Sequence, residues 1–391
     1  MHRFTPDISI EATDGYAALL GHNWDTIQEC FNLNVSDELE ARLEAGKVRA
    51  QSRFDDQGDK FEFGGKTFQI QPKGTKGKSW VLSNDDFIIM FGRGAKDWKV
   101  SVRYLAAGLW EYGFEALKVK ILTILLRECK PEGKEVVIEN IKTWQRLSRA
   151  DYAFDFYAPE FSKEMERGNI REKLVLPSGV KGGLVFDSNK DETLTLGMNR
   201  TGLQIQVYDK GKEITDISGK TWMYTVWERE GFYPPEDQKA KHIWRVEIRF
   251  GKEFFKDRGI LLFEELEENL QFLLCEALFK RRIGEPDRDS NKARWALHPL
   301  WAATYEASGL AGRYCPIGRQ STLSAQAKLE IMKKGLAGTV RAAVILKVGD
   351  YDDLSATNMA YQSLCEMEDD KRHQTMIEKV KERYRYEGDA R

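Results

Sequence analysis

Three stretches of this chain alternate apolar and polar residues with a period of two: RADYAFDFY from Arg149, LQIQVYDK from Leu203 and HIWRVEIRF from His242. That period marks strands, because successive side chains point to opposite faces of a sheet. In the first stretch Arg149, Asp151, Ala153 and Asp155 share one face, and Tyr152, Phe154 and Phe156 the other. In the second, Leu203, Ile205 and Val207 oppose Gln204, Gln206, Tyr208 and Lys210. In the third, Trp244, Val246, Ile248 and Phe250 oppose Arg245, Glu247 and Arg249. If the three lie in one sheet, that sheet has one apolar face for a core. Its other face carries two aspartates, a glutamate, a tyrosine, a lysine and arginines.

The remaining pattern is mixed. Residues 1–60 are polar and read as mostly helical, with a helix start at Ser36, Glu residues in the first turn and a stop at Gly46. KFEFGG, KTFQIQ, SWVLS, DFIIMFG and DWKVSVRY then read as a meander of short strands. Apolar residues at 114, 117, 121, 122, 125 and 126 have helical spacing, as do those at 262, 266, 270, 273, 274 and 277. The expected fold class is α+β: a central antiparallel sheet backed by helices, with helical N- and C-terminal extensions. The expected segments are an acidic, helical 1–60, an α+β core over 61–260 and a helical 261–391.

Composition narrows the function classes. The five cysteines (Cys30, Cys129, Cys275, Cys315, Cys365) contain no CxxC and are odd in number, which fits free thiols in a reducing cytoplasm. The opening MHRFTPDISIEATDG lacks the apolar core of a secretory signal, and no apolar run is long enough for a membrane span. Net charge is −2, but unevenly spread: residues 1–65 hold six Lys/Arg against thirteen Asp/Glu, and residues 66–150 sixteen against nine. The lysines at 73, 76 and 78 sit in the Gly-rich PKGTKGKSW, which suits contact with nucleic-acid phosphates or a solvated hairpin tip. A phosphate-binding loop for ATP would need glycine at position 72, where Pro stands.

Carboxylates converging on a sheet suit a hard divalent cation such as Mg²⁺ or Mn²⁺. Such an ion polarises a phosphodiester oxygen, and neighbouring cations share the developing charge. A tyrosine beside them can act as nucleophile if its proton is removed. The bland alternative is a solvated strand face laced with cross-strand ion pairs.

The segments SRADYAFDF, TLTLGMNRTGLQIQVYDKGKE and WRVEIRFGKEFF resemble, in order and spacing, the trans-acting replication initiators of rolling-circle plasmids. Filamentous-phage initiators and some conjugative relaxases are related to that family. The resemblance covers roughly residues 80–305 and rests on Arg149 and Asp151, Gly197, Tyr208-Asp209-Lys210 and Arg245-Val246-Glu247. It implies a nicking-enzyme core that cuts one strand of double-stranded origin DNA and holds the nicked single strand. It implies Tyr208 as nucleophile, with Lys210 supporting the phenolate or the phosphate, and Arg245 as a catalytic residue that holds a DNA phosphate or orients the carboxylates. Asp151, Glu247 and more weakly Asp155 are implied as metal ligands, and Arg149 and Arg249, with the lysine loop, as DNA contacts. A host helicase and a homodimer are the implied partners. Conjugative transfer, or DNA binding without catalysis, is the alternative role. The five histidines form no His-x-His pair, so the chemistry of histidine-metal nickases does not apply.

Overall fold

The computed structural model describes residues 15–53, 58–93, 98–131, 141–168, 170–187, 190–197, 202–229, 231–234 and 238–309. The chain divides into two units, 1–318 and 319–391, and all described residues lie in the first. The expected helical tail beyond 309 lies outside the described residues.

The described strands are β1 (Ala18–Phe31), β2 (Leu33–Asn34), β3 (Asp59–Phe63), β4 (Lys66–Ile70), β5 (Trp80–Ser83), β6 (Phe87–Phe91), β7 (Val100–Leu105) and β8 (Lys130–Pro131). They continue with β9 (Gln145–Tyr157), β10 (Leu174–Val175), β11 (Gly182–Asp187), β12 (Lys190–Leu196), β13 (Leu203–Asp209), β14 (Ile243–Gly251), β15 (Arg282–Glu285) and β16 (Ala296–Leu297). Eleven of them make one sheet in the order β11-β12-β13-β14-β9-β1-β7-β6-β5-β4-β3, and every neighbouring pair is antiparallel. The other five form small sheets, β10-β15-β16 and β2-β8. The α+β class and the central antiparallel sheet backed by helices are therefore as the sequence pattern implied.

The apolar face of the sheet makes the main core. Phe154, Phe156, Val246, Ile248 and Ile27 are fully buried there, together with Leu117 and Ile121 of the helix Phe114–Glu128 and Leu273 and Leu278 of the helix Leu270–Lys280. A second, smaller cluster joins Leu20 and Ile243 at one end of the sheet to Ile214, Met223 and Trp227. Trp227 belongs to the helix Trp222–Arg229, which follows β13 after a short helical turn.

Two expectations for the N-terminal segment need correction. Residues 18–31 are a fourteen-residue strand between β9 and β7, near the middle of the sheet, where helix was expected. Register shifts against β9 at Leu19/Gly21, Trp24/Thr26 and Gln28/Glu29 break the alternation that would have marked it. The helix does begin at Ser36, whose hydroxyl accepts from the Leu39 N–H at 3.2 Å, but it runs through Gly46 to Gln51. Gly46 is a packing glycine: a Cβ there would lie 2.9 Å from Cδ2 of Phe61.

Candidate active site

The three alternating stretches are adjacent, in the order β13-β14-β9, and their registers stack the polar residues in rows. Tyr208 stands opposite Arg245, which stands opposite Asp155. Gln206 faces Glu247 and then Ala153, and Gln204 faces Arg249 and then Asp151. Arg149 lies one row further on, opposite Gly251. The conditional picture from the sequence, one sheet with one polar face, is the arrangement found.

At one end this face is closed. Asp155 and Arg245 are both fully buried, in a two-pronged ion pair of 2.6 Å (Nε to Oδ1) and 2.8 Å (Nη2 to Oδ2). The Trp227 indole N–H, on the helix laid over this end, donates to the same Oδ2 at 3.1 Å. The remaining Arg245 nitrogen, Nη1, donates to Asp25. Asp25 occupies the irregularity in β1 between Trp24 and Thr26, and a bulge of this kind re-aims a side chain out of the ladder. Burial opposes ionisation of Asp25, but the Arg245 charge beside it holds its carboxyl below the usual carboxylate range.

In the middle, the phenol of Tyr208 donates to Oε2 of Glu247 at 2.8 Å, and Arg249 Nε donates to Oε1 of the same carboxylate at 2.5 Å. Burial first, and then the Glu247 charge, push the Tyr208 phenol well above its ordinary pKa, so the resting phenol keeps its proton. The Lys210 ammonium sits 5.9 Å from the centre of the Tyr208 ring and is held by Glu213 at 2.5 Å. Burial, and then Arg245, lower the pKa of Lys210. Asp151 is buried, with Arg149 donating to both its oxygens (Nε at 3.0 Å to each, Nη2 at 2.5 Å). Burial, with a contribution from Glu247, pushes the Asp151 carboxyl up to about 7 despite that arginine.

The far end is open. A cavity of about 320 Å³ is lined by Gln28, Arg103, Ser148, Arg149, Gly202, Arg249, Phe250 and Gly251.

This geometry revises several expected roles. Asp155 is a poor metal ligand, because both its oxygens already accept from Arg245 and Trp227. Arg245 has its Nε, Nη1 and Nη2 engaged by Asp155 and Asp25, so it positions the face from beneath rather than reaching a DNA phosphate. Lys78 donates to the carbonyls of Trp98 and Lys99 at 2.8 and 2.9 Å and shapes its own loop. Lys73 and Lys76 are exposed. Their loop enters β5, six strand spacings from β13, or roughly 29 Å at about 4.8 Å each. Asp151, Glu247, Tyr208, Lys210, Arg149 and Arg249 do gather on the one face. The sequence reading did not single out Asp25, Gln28, Arg103 or Trp227. Arg103 was within reach of it, because Val100, Val102 and Tyr104 alternate with Ser101 and Arg103.

Asp151 and Glu247 offer hard oxygen donors on buried side chains, but both oxygens of each already accept, from Arg149 in the one and from Tyr208 and Arg249 in the other, so a divalent cation would have to displace those donors. Among the described residues one other group, Glu164, Glu285 and His298, brings three potential ligand atoms within 4.8 Å of one another. There the Lys173 ammonium already lies 2.8 Å from Glu164 and 3.0 Å from Glu285. His298 Nδ1 accepts from the Leu300 N–H at 3.2 Å, which puts the ring proton on Nε2, facing Glu164. A metal would have to displace both the lysine and that proton.

The fold and site define an α+β protein whose antiparallel sheet presents a half-buried tyrosine against a buried carboxylate, between a sealed ion-pair cluster and an arginine-lined opening. No family model matches the chain, and no curated protein matches it. Among solved structures, the rolling circle replication initiator protein from Geobacillus stearothermophilus is similar over 77% of this chain and 100% of its own, at 14% identity and a TM-score of 0.37. A likeness that loose assigns no role to any residue. Among the described residues no helix is long and apolar enough to cross a membrane.

Proposed function

We propose that this protein initiates rolling-circle replication by cutting one DNA strand at a double-stranded origin, with Tyr208 as nucleophile. The observation that supports this most is the hydrogen bond from the Tyr208 phenol to Glu247, on a face also carrying Asp151, Lys210 and arginines. A phenol held well above its ordinary pKa needs a base at the moment of attack, and Glu247 is already in contact with its proton.

In this reading the Tyr208 oxygen attacks phosphorus as its proton passes to Glu247 Oε2. The bond from phosphorus to the 3′ oxygen breaks, and that oxygen takes a proton from water to become a free 3′ hydroxyl. The 5′ phosphate remains on Tyr208, so the bond energy is kept and the strand can be rejoined. Lys210 supplies positive charge beside the phenol, and Arg149 and Arg249 face the phosphates entering from the open end. When bound, a Mg²⁺ or Mn²⁺ ion held by Asp151 and Glu247 would polarise a phosphodiester oxygen.

Conjugative transfer would use the same chemistry. A role in DNA binding without cutting is favoured by one feature: Asp151, Asp155 and Glu247 are each already paired with an arginine. Tyr208→Phe separates cutting from binding. It should abolish strand cleavage while leaving origin affinity within about twofold of the parent; normal cleavage by that variant would remove Tyr208 from the mechanism.

A further inference from the structure

The open end of the polar face is an arginine pocket with charge to spare. Arg103 on β7 stands opposite Gln28 on β1, Gln28 opposite Arg149 on β9, and Arg149 opposite Gly251 on β14, so one row crosses four strands. Arg149 and Arg249 each have a carboxylate partner, Asp151 and Glu247. Arg103 differs: its Nε and Nη2 donate to the neutral amide oxygen of Gln28 at 3.2 and 3.1 Å, and it has no ion-pair partner among the described residues. The lining therefore offers three guanidiniums, two of them paired with carboxylates that do not themselves line the cavity. Burial, and then the neighbouring Arg149 charge, lower the Arg103 pKa, with the Asp151 charge opposing them.

Two glycines lie at the edge of this row. Gly251 puts no side chain opposite Arg149, and its N–H donates to the Gly202 carbonyl at 2.6 Å. Gly202 has a φ of +68°, and a Cβ there would lie 2.4 Å from the Phe254 backbone nitrogen, so the position admits only glycine. The cavity beside them, about 320 Å³, is walled by the three arginines, Gln28 and Ser148. Planar guanidiniums suit the paired oxygens of a phosphate group. Along β14, Arg249 lies four residues beyond Arg245, the residue opposite Tyr208, or about 13 Å at 3.3 Å per residue.

We propose that Arg103, with Arg149 and Arg249, forms a phosphate-holding pocket for the single-stranded DNA flank, about 13 Å from the strand row that bears Tyr208. The strand's identity as DNA rests on the function proposed above; the pocket's preference for a phosphodiester rests on its own geometry.

The test is binding without chemistry. The full-length protein is titrated into a fluorescent single-stranded origin oligonucleotide in chelator, at several salt concentrations, as the parent, Arg103→Gln and Arg103→Lys. Arg103→Gln should weaken binding about five- to twenty-fold and lower the salt slope by about 0.7, the loss of one phosphate contact on a single strand. Arg103→Lys should keep the slope, since the charge remains, while losing part of the affinity. Phosphate replacing chloride at equal ionic strength should weaken the parent more than Arg103→Gln. Parental affinity and slope in Arg103→Gln would overturn the pocket. An equal loss on the blunt duplex would overturn its assignment to a single strand. If Arg103→Gln binds weakly but the parent never cuts DNA, the pocket stands and the nicking function fails. If the parent cuts and Arg103→Gln binds normally, the reverse holds.

Discussion

In the proposed mechanism the contact between Tyr208 and Glu247 sets a protonated nucleophile against its base, and the residues around it take the remaining roles. Arg245 belongs to the scaffold. Replacing it by methionine leaves the buried Asp155 and the half-buried Asp25 without their cation, and breaking a buried pair costs about 3–5 kcal/mol. Arg245→Met should therefore lower the urea midpoint strongly. Parental stability with lost DNA affinity would instead make Arg245 a phosphate contact. Glu164 provides a second residue-scale test. Burial alone would raise its carboxyl, but hydrogen bonds from His298, Lys173 and Tyr16 outweigh that and hold it down at about 2, from an ordinary 4.5. Its contribution to stability is then fully present above pH 4.5 and is lost as pH falls through 2. Glu164→Gln should flatten the dependence of unfolding free energy on pH in that acid window; an unchanged slope would show that the cluster does not act this way.

Among the elements, the strands with strict alternation were legible and those with interruptions were not. The rows formed by β9, β13 and β14 follow from period two alone, because no residue is inserted along the faces that matter. β1 carries three register shifts, so Asp25 and Gln28 gave no usable pattern although they share the site with Arg245 and Arg103. Periodicity also assigns a residue to a face without telling what lies above it. Asp155 and Asp151 look equivalent in the sequence, yet the helix bearing Trp227 seals only Asp155. Gly46 gives the element-scale prediction. At an uncrowded position inside a helix, alanine in place of glycine would stabilise by about 1 kcal/mol. Because Gly46 packs on Phe61, Gly46→Ala should destabilise by about 1–3 kcal/mol, as a thermal melt would show.

For the whole molecule, the long sheet separates two jobs. Its β13-β14-β9-β1 part carries the proposed chemistry, while β5, β4 and β3 pack the helix Asp37–Gln51 and present the exposed Lys73 and Lys76 well away from Tyr208. Arginines face the open end and the sealed end is held by ion pairs, so under the proposed function the strand enters from the Arg103 side. The class of the fold was readable because hydrophobic periodicity reports local structure. The order of strands, which brings Arg103 beside Arg149 across β1, depends on pairings distant in sequence and left no mark in any single segment.

The central claim is the covalent step through Tyr208, and one measurement addresses it. The purified protein is incubated with supercoiled plasmid carrying its origin and Mg²⁺ or Mn²⁺, quenched in detergent and resolved by mass. The account predicts protein joined to a 5′ DNA end, formed by the parent, absent with chelator and absent in Tyr208→Phe. An adduct formed in full yield by Tyr208→Phe, or no adduct from parent protein that demonstrably binds the DNA, would contradict it.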